Sequence, residues 1–115
     1  MSRNAGLIMG LLGCLIAQTA VADPVSSDGN FLSIGAGNWS CATWLSSPSN
    51  ELAGKNWLLG FWSGTNNSSS SHTVGIHSDI TGITAEVTNV CKSSPSKLLY
   101  SVVNRVYEMM QSRGQ

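Results

Sequence analysis

The chain has 115 residues, of which 10% are charged, and its six Lys and Arg residues balance six Asp and Glu residues to a formal net charge of zero at pH 7. Nucleic acids and anionic membrane surfaces are bound by clustered Lys and Arg. Because the sparse charges of this chain form no run, the sequence argues against both kinds of partner. The length is that of one domain, small enough to benefit from a covalent cross-link.

The first 22 residues carry the three parts of a secretory signal peptide. Arg3 provides a positive start, residues 5–16 are apolar apart from their glycines, and Ala20–Ala22 form an A-x-A exit site. The apolar stretch is shorter than the roughly 20 residues of a permanent membrane helix, so an uncleaved anchor is the less favoured alternative. A lipoprotein box ending at Cys14 ranks second, because the apolar stretch continues past it to a better site. We expect cleavage after Ala22 and a periplasmic or secreted protein without stable membrane insertion.

Cleavage there would remove Cys14 and leave Cys41 and Cys91, an even pair that we expect to form a disulfide in an oxidising compartment. In the chain-entropy model, closing a loop of about 50 residues stabilises a domain by roughly 4 kcal/mol. That is a large share of the roughly 5–10 kcal/mol by which small domains are stable. Two free thiols, or half of a metal site, are the alternative. The sequence argues against this alternative, because the chain has no C-x-x-C motif and its histidines are far from both cysteines in sequence.

The predicted organisation is a leader over residues 1–22, a flexible arm over residues 23–37 and a helical domain over residues 38–113. The arm is rich in Ser, Gly, Asp and Asn, which favour turns and loops. Three of its apolar residues could attach it to the domain: Phe31, Leu32 and Ile34.

The first predicted helix is short and carries Cys41 and Trp44. Asn38 or Ser40 could cap its start, because their side chains can accept hydrogen bonds from the first turn. Pro48 is expected to end it, since the residue before a proline is biased away from the helical conformation.

The second predicted helix runs from about residue 51 to residue 65, with Ser49 or Asn50 as its cap. Four apolar residues spread over an arc of roughly 140° at 100° per residue: Trp57, Leu58, Phe61 and Trp62. Leu59 lies outside this arc. A helix with apolar groups on more than one stripe is typically packed on two sides or partly buried in an oligomer.

Two more helices are predicted beyond a polar loop over residues 66–73. Ile and Val favour strands, but here they recur at helical intervals, so we predict a third helix over residues 80–93 with Asp79 or Thr81 as its cap. The Ser94–Pro95 pair is typical of a cap and a first helical residue, and starts a fourth helix to about residue 112. The predicted fold is therefore an all-α, four-helix domain with one disulfide.

No residue stands in a nucleophile motif and no pair of carboxylates stands out, so we expect neither enzymatic activity nor a cofactor. His72, His77 and Asp79 could be considered as metal ligands. Their spacing fits no known tight site, so a solvated loop without metal is the favoured interpretation.

The four tryptophans are either core residues or anchors of an interface, because Trp serves both purposes. We assign Trp44 and Trp62 to the core. The candidate binding surface consists of Trp39, Trp57 and Phe61.

Several of these residues, in their order, resemble the HdeA-type periplasmic chaperones. Residues 39–45, WSCATWL, are similar to the W-x-C-x-x-F-L opening of that family, and Gly60–Phe61 falls where its second helix has a Gly-Phe pair. Asp79–Ile83, followed by Val87 and Cys91, resembles its D-x-x-G-I…V…C segment.

The resemblance covers roughly residues 38–110 and implies an all-α periplasmic protein that forms a homodimer. It further implies a dimer that opens in acid and lends its apolar surface to unfolding protein clients. This chain departs from the family pattern in having few charges. The repulsion that acid would create in it is therefore modest.

Two other functions are kept as alternatives. The short helical pattern with one disulfide also resembles the Tai-type periplasmic immunity proteins, which implies inhibition of a secreted amidase toxin through an exposed loop such as residues 66–73. An enzyme or metal carrier is the third hypothesis, and His72 and His77 would be the residues to test for it. The chaperone hypothesis comes first because its motifs match in order.

Overall fold

The computed structural model describes residues 32–115, and this part of the chain is helical. A short 3-10 helix comes first, followed by four α-helices: Gly35–Asn38 (3-10), then α1 Cys41–Trp44, α2 Pro48–Ser68, α3 Ile80–Ser93 and α4 Leu99–Ser112. Within the described range the extended pairing is a single isolated antiparallel bridge between Ser40 and Leu98. The predicted all-α fold is confirmed. The predicted leader, the first part of the arm and Phe31 lie outside the described residues.

Helix α1 is joined to α3 by the predicted disulfide between Cys41 and Cys91, whose Cα atoms are 5.0 Å apart. Both cysteines are completely buried. Ser40, one of the two predicted caps, accepts a hydrogen bond from the Thr43 amide over 3.1 Å. The cap starts α1 at the position that brings the Cys41 sulfur into the core.

Helix α2 begins earlier and ends later than predicted. Pro48 is the first residue of α2 and does not end the preceding helix, while Ser47 is the cap and accepts from the Asn50 amide over 3.2 Å. Proline is well suited to a first helical position, because the amide that it lacks would have no helical partner there. At the other end the helix continues to Ser68, where hydroxyl groups that were expected to favour a loop donate to carbonyls of their own helix, as Ser68 does to Gly64.

Helix α3 has the predicted bounds, and its cap is Asp79, one of the two predicted caps, whose carboxylate accepts from the Gly82 amide over 2.7 Å. Helix α4 begins at Leu99, four residues later than the Ser94–Pro95 pair predicts. The carbonyls of Pro95 and Lys97 accept hydrogen bonds from the first amides of α1, Ala42 at 2.9 Å and Cys41 at 2.8 Å. These tertiary hydrogen bonds hold residues 95–98 in a turn.

The core lies between α2, α3 and α4 and is closed at one end by α1. Its fully buried side chains come from all four helices: Cys41, Trp44, Leu58, Val87, Cys91, Leu99, Val102, Val103, Val106 and Met110. Trp44 and Trp62 are 1% and 4% exposed, so both lie in the core as predicted. The Trp44 ring lies directly over Gly54 of α2, where a side chain would have no room.

Candidate binding surface on helix α2

Trp57 and Phe61 lie one turn apart on α2 and their rings stack, with centroids 5.2 Å apart and an interplanar angle of 18°. Both side chains are half-buried. They line a shallow groove of about 440 Å³, which we call the α2 groove. Its other lining residues are Leu32, Ser33, Ile34, Asn56 and Gly60.

Trp39, the third predicted member of the surface, does not line the α2 groove. It is half-buried at the end of the 3-10 helix. Its backbone joins two elements, because its amide donates to Ala36 over 3.0 Å and its carbonyl accepts from the Leu99 amide over 2.8 Å. The structure therefore brings two of the three predicted residues together, and a binding role for them stays a prediction.

Residues 32–38 lie against one side of the Trp57 ring. The indole Nε1 donates a 2.8 Å hydrogen bond to the Ile34 carbonyl. Gly37 is so close to the same ring that a Cβ atom there would overlap Trp57. The end of the predicted arm is thus partly folded onto α2, and the contact is made by its backbone and its small residues.

The large apolar side chains of this segment point to solvent. Leu32 is 84% exposed and Ile34 is 74% exposed, whereas Ser33, Ala36 and Gly37 are buried. The expectation that Leu32 and Ile34 attach the arm is therefore wrong: they form an exposed aliphatic rim beside the stacked rings. No Lys, Arg, Asp or Glu is among the residues that line the α2 groove. Such a surface can bury aliphatic and aromatic groups of a partner without selecting their charge or direction.

A second apolar groove lies on the other side of α2, between that helix, the loop that follows it and the start of α3. It also has a volume of about 440 Å³. Ile76 and Ile80 on its rim are 66% and 51% exposed. Ile80 is one of the apolar residues whose spacing predicts α3, but its side chain lies outside the core. Helical spacing alone does not show whether the first apolar residue of a helix is buried.

The sequence analysis placed Asn66 in a polar loop and did not predict that it belongs to a polar cluster in the wall of this second groove. Asn66 lies in the last turns of α2, where its Oδ1 accepts from the Tyr107 hydroxyl at 2.8 Å and from the Val74 amide at 3.2 Å. Its Nδ2 donates to the Val74 carbonyl over 3.0 Å, and this carbonyl also accepts from Trp62 Nε1. The amide side chain therefore ties α2 to both α4 and the following loop.

The residues considered as metal ligands do not come together. Between residues 32 and 115 no three His, Cys, Asp or Glu side chains form a group that could hold a metal ion. His72 and His77 are exposed, and the Nδ1 atom of His72 lies 2.9 Å from the Asn66 carbonyl oxygen. Asp79 is occupied as the cap of α3. None of the helices described is both long and apolar enough for a membrane span.

A family model described as the HdeA/HdeB family matches residues 5–101. The match spans 97 of the 115 residues and includes both cysteines of the disulfide, α1, α2 and α3. Comparisons with curated proteins and with solved structures find no match.

Proposed function

The chain belongs to the HdeA/HdeB family, and we propose that it is a periplasmic stress chaperone that holds partly unfolded proteins at the α2 groove. The family is periplasmic, is not enzymatic and binds protein clients. The observation that supports a site on α2 is the exposed aliphatic rim of Leu32 and Ile34 beside the stacked Trp57 and Phe61 rings. An unfolded client presents apolar side chains of the kind that such a rim can cover.

The size of the α2 groove favours weak and adaptable binding. Burying one exposed Leu or Ile side chain contributes about 1.5–3 kcal/mol, so two of them contribute about 3–6 kcal/mol before the cost of ordering the client. A binding free energy of about 4 kcal/mol corresponds to a dissociation constant near 1 mM. One groove therefore releases its client readily, and holding a large client needs several contacts at once. This behaviour suits a chaperone better than a tight inhibitor, which needs about 800 Å² of buried surface on each partner.

Acid changes the charge of this protein less than that of a densely charged one. The chain that would remain after the predicted cleavage, residues 23–115, has five Lys and Arg residues against six Asp and Glu residues, a formal net charge of −1 with neutral histidines. At about pH 2–3 carboxylates lose their negative charge while Lys and Arg keep their positive charge, so the net charge becomes positive but is carried by few groups. Repulsion among these charges opposes the compact state. We therefore propose that acid increases client binding, but modestly.

The test is the aggregation of a denatured model client at pH 7 and at pH 2–3, with and without the protein. We expect protection that the double variant Leu32→Ser/Ile34→Ser reduces severalfold, because both side chains are exposed and their loss removes rim area without disturbing the core. Leu52→Ser is the matched control, since Leu52 is also an exposed aliphatic residue, at 61%, but lies outside the α2 groove.

Two results would contradict the proposal. Absence of protection by the wild-type protein at both pH values would exclude the chaperone function. Equal protection by the double variant and by Leu52→Ser would exclude the α2 groove as the site. Recovery of one stoichiometric partner that dissociates slowly, in place of many clients, would instead favour the immunity function predicted as the alternative.

A further inference from the structure

We propose that a groove between α2 and α3 binds a single amphiphile that has one carboxylate head and one long alkyl chain, as a free fatty acid has. This groove lies on the other side of α2 from the α2 groove, so binding there is independent of the client site of the proposed function. Three observations support it: the continuity of the groove, the lysines at one end, and the hydrogen bonds that its hydroxyl groups already make.

The second apolar groove is continued toward the start of α2 by a third groove of about 540 Å³, and we call the two parts together the α2–α3 groove. Five of its lining residues on α2 are spaced alternately by three and four positions and so lie along one face of the helix: Leu52, Lys55, Leu59, Trp62 and Asn66. The groove extends about 27 Å along α2, from residue 48 to residue 66. Each part has a volume within the roughly 300–1,000 Å³ of small-molecule sites.

The end of the α2–α3 groove beside the loop after α2 is apolar. Ile76 and Ile80 are exposed on its rim, and Leu59 and Ile83 line it as well. No Lys, Arg, Asp or Glu is among the residues that line this end, and its titratable residue is His72. A long alkyl chain laid against these side chains would remove apolar surface of both from water, which is favourable.

The opposite end of the α2–α3 groove is cationic, because Lys55 of α2 and Lys92 of α3 line it together with Glu51. Two lysines against one glutamate give this end a formal charge of +1. Between residues 32 and 115, neither ammonium group lies within 4 Å of a carboxylate oxygen, although Lys55 is half-buried. One carboxylate bound beside the two ammonium groups would neutralise this end and supply a charged hydrogen-bond acceptor to both.

Hydroxyl groups along the middle of the α2–α3 groove already donate to carbonyls of their own helices. Thr84 donates to the Ile80 carbonyl over 2.7 Å, and Thr88 donates to the Thr84 carbonyl over 2.8 Å. Ser63 donates to the Leu59 carbonyl over 2.9 Å. These hydrogens are not available to the carbonyls of an extended peptide, which would lose their hydrogen bonds to water without replacement. An alkyl chain has no such groups, so the groove favours it over an extended polypeptide.

The test is calorimetric titration of the folded protein with sodium dodecanoate at pH 7, below the concentration at which dodecanoate forms micelles. Hexanoate has the same head with a shorter chain, and dodecyltrimethylammonium has the same chain with a positive head. The site is identified from the indole N–H resonances of the tryptophans. Dodecanoate should shift those of Trp44 and Trp62, which line the α2–α3 groove, and leave that of Trp57, which lines the α2 groove.

Lys55→Gln/Lys92→Gln tests the cationic end, and Lys97→Gln is its matched control, because Lys97 is exposed and lines neither part of the groove. We expect the wild type to bind dodecanoate at least about tenfold more tightly than hexanoate or dodecyltrimethylammonium. The double variant should bind dodecanoate about three- to tenfold more weakly than the wild type, as the loss of two solvent-accessible ion pairs predicts. The control should stay within about twofold of the wild type.

Ile76→Ser/Ile80→Ser tests the apolar end. Its matched control is Leu32→Ser/Ile34→Ser, which also removes two exposed aliphatic side chains but changes the α2 groove. We expect the first variant to bind dodecanoate at least about tenfold more weakly than the wild type, because less of the alkyl chain is buried. The second should bind it within about twofold of the wild type, with the helix content of both unchanged.

The inference is overturned if the wild type binds no dodecanoate, binds dodecyltrimethylammonium equally well, or shifts only the Trp57 resonance. Association with anionic phospholipid vesicles without binding of monomeric dodecanoate would assign the groove to a membrane surface instead. If dodecanoate does not bind but Ile76→Ser/Ile80→Ser dissociates a dimer or abolishes client protection, the groove belongs to a second copy or to a client. Should that variant lose its helices, the lysine variant and the shorter chain decide the question. Dodecanoate binding by a protein without client protection would support this site and refute only the chaperone function.

Discussion

Replacing Gly54 with alanine should destabilise the protein, although alanine is the better helix former. A Cβ atom at this position would overlap Cδ1 and Nε1 of Trp44 and would lie 3.0 Å from its Cγ. The ring cannot move aside easily, because Trp44 is 1% exposed and its Nε1 donates to the Glu51 carbonyl over 3.0 Å. Overpacking of this kind costs about 1–3 kcal/mol, and a rigid, buried ring places the cost at the upper end of that range.

The packing cost at Gly54 can be separated from helix propensity by comparing alanine substitutions at two glycines of the same helix. Gly54→Ala and Gly64→Ala both gain about 1 kcal/mol of helix propensity, so the difference between their unfolding free energies is the packing cost alone. We expect Gly64→Ala to be more stable than the wild type by up to about 1 kcal/mol, and Gly54→Ala to be less stable than Gly64→Ala by about 2–3 kcal/mol. Urea unfolding at pH 7 with the disulfide intact measures both values. Variants that differ by less than about 0.5 kcal/mol would refute the close packing of Trp44 on α2.

Two further changes test the cross-links of the core. Cys41→Ala/Cys91→Ala should lower the unfolding free energy in urea by about 4 kcal/mol, because it opens a loop closed at a sequence separation of 50; a loss below about 1 kcal/mol would show that other contacts already hold α1 in place. Tyr107→Phe should cost about 1–2 kcal/mol, since it removes the hydroxyl that donates to Asn66, and thermal unfolding with no change in the midpoint would show that this hydrogen bond is replaced by water.

The regular parts of the fold could be predicted because their signals are local. The bounds of α3 follow from the periodic spacing of its apolar residues and from the Asp79 cap, and the structure has both. The disulfide between Cys41 and Cys91 was predicted because these two cysteines lie beyond the predicted leader and form an even pair. Trp44 and Trp62 were assigned to the core, and both are buried. In each case the deciding interaction lies within a few turns of chain or is covalent.

Pro48 and Pro95 show where local signals are insufficient to predict the start of a helix. Pro48 and Pro95 each follow a serine, and either pair is compatible with a cap and a first helical position. Pro48 starts α2, but Pro95 lies in a turn, because its carbonyl and that of Lys97 accept hydrogen bonds from the start of α1. These amides of α1 are more than 50 residues away in sequence, and no pattern around Pro95 predicts the contact.

The sequence predicted the two aromatic rings of the candidate site but not its exposed aliphatic rim. Trp57 and Phe61 are conspicuous in the sequence, and their spacing on a helix makes them neighbours. Leu32 and Ile34 were expected to face inward because they are the apolar residues of a polar segment. They face outward because the small Ala36 and Gly37 allow the backbone to approach the indole more closely than a large side chain would. The direction in which these side chains point depends on the surface of α2, and residues 32–38 alone do not determine that surface.

The complete burial of Cys41 and Cys91 affects how thiol reagents can act on this protein. Breaking a disulfide requires a thiolate to attack one of its sulfur atoms directly. Neither sulfur atom is accessible in the folded protein. Small reductants can therefore reduce the disulfide only in molecules that have transiently opened around α1. The rate at which glutathione or dithiothreitol reduces the disulfide therefore reports how often the protein opens around α1. Any client or variant that loosens this end of the protein should increase that rate.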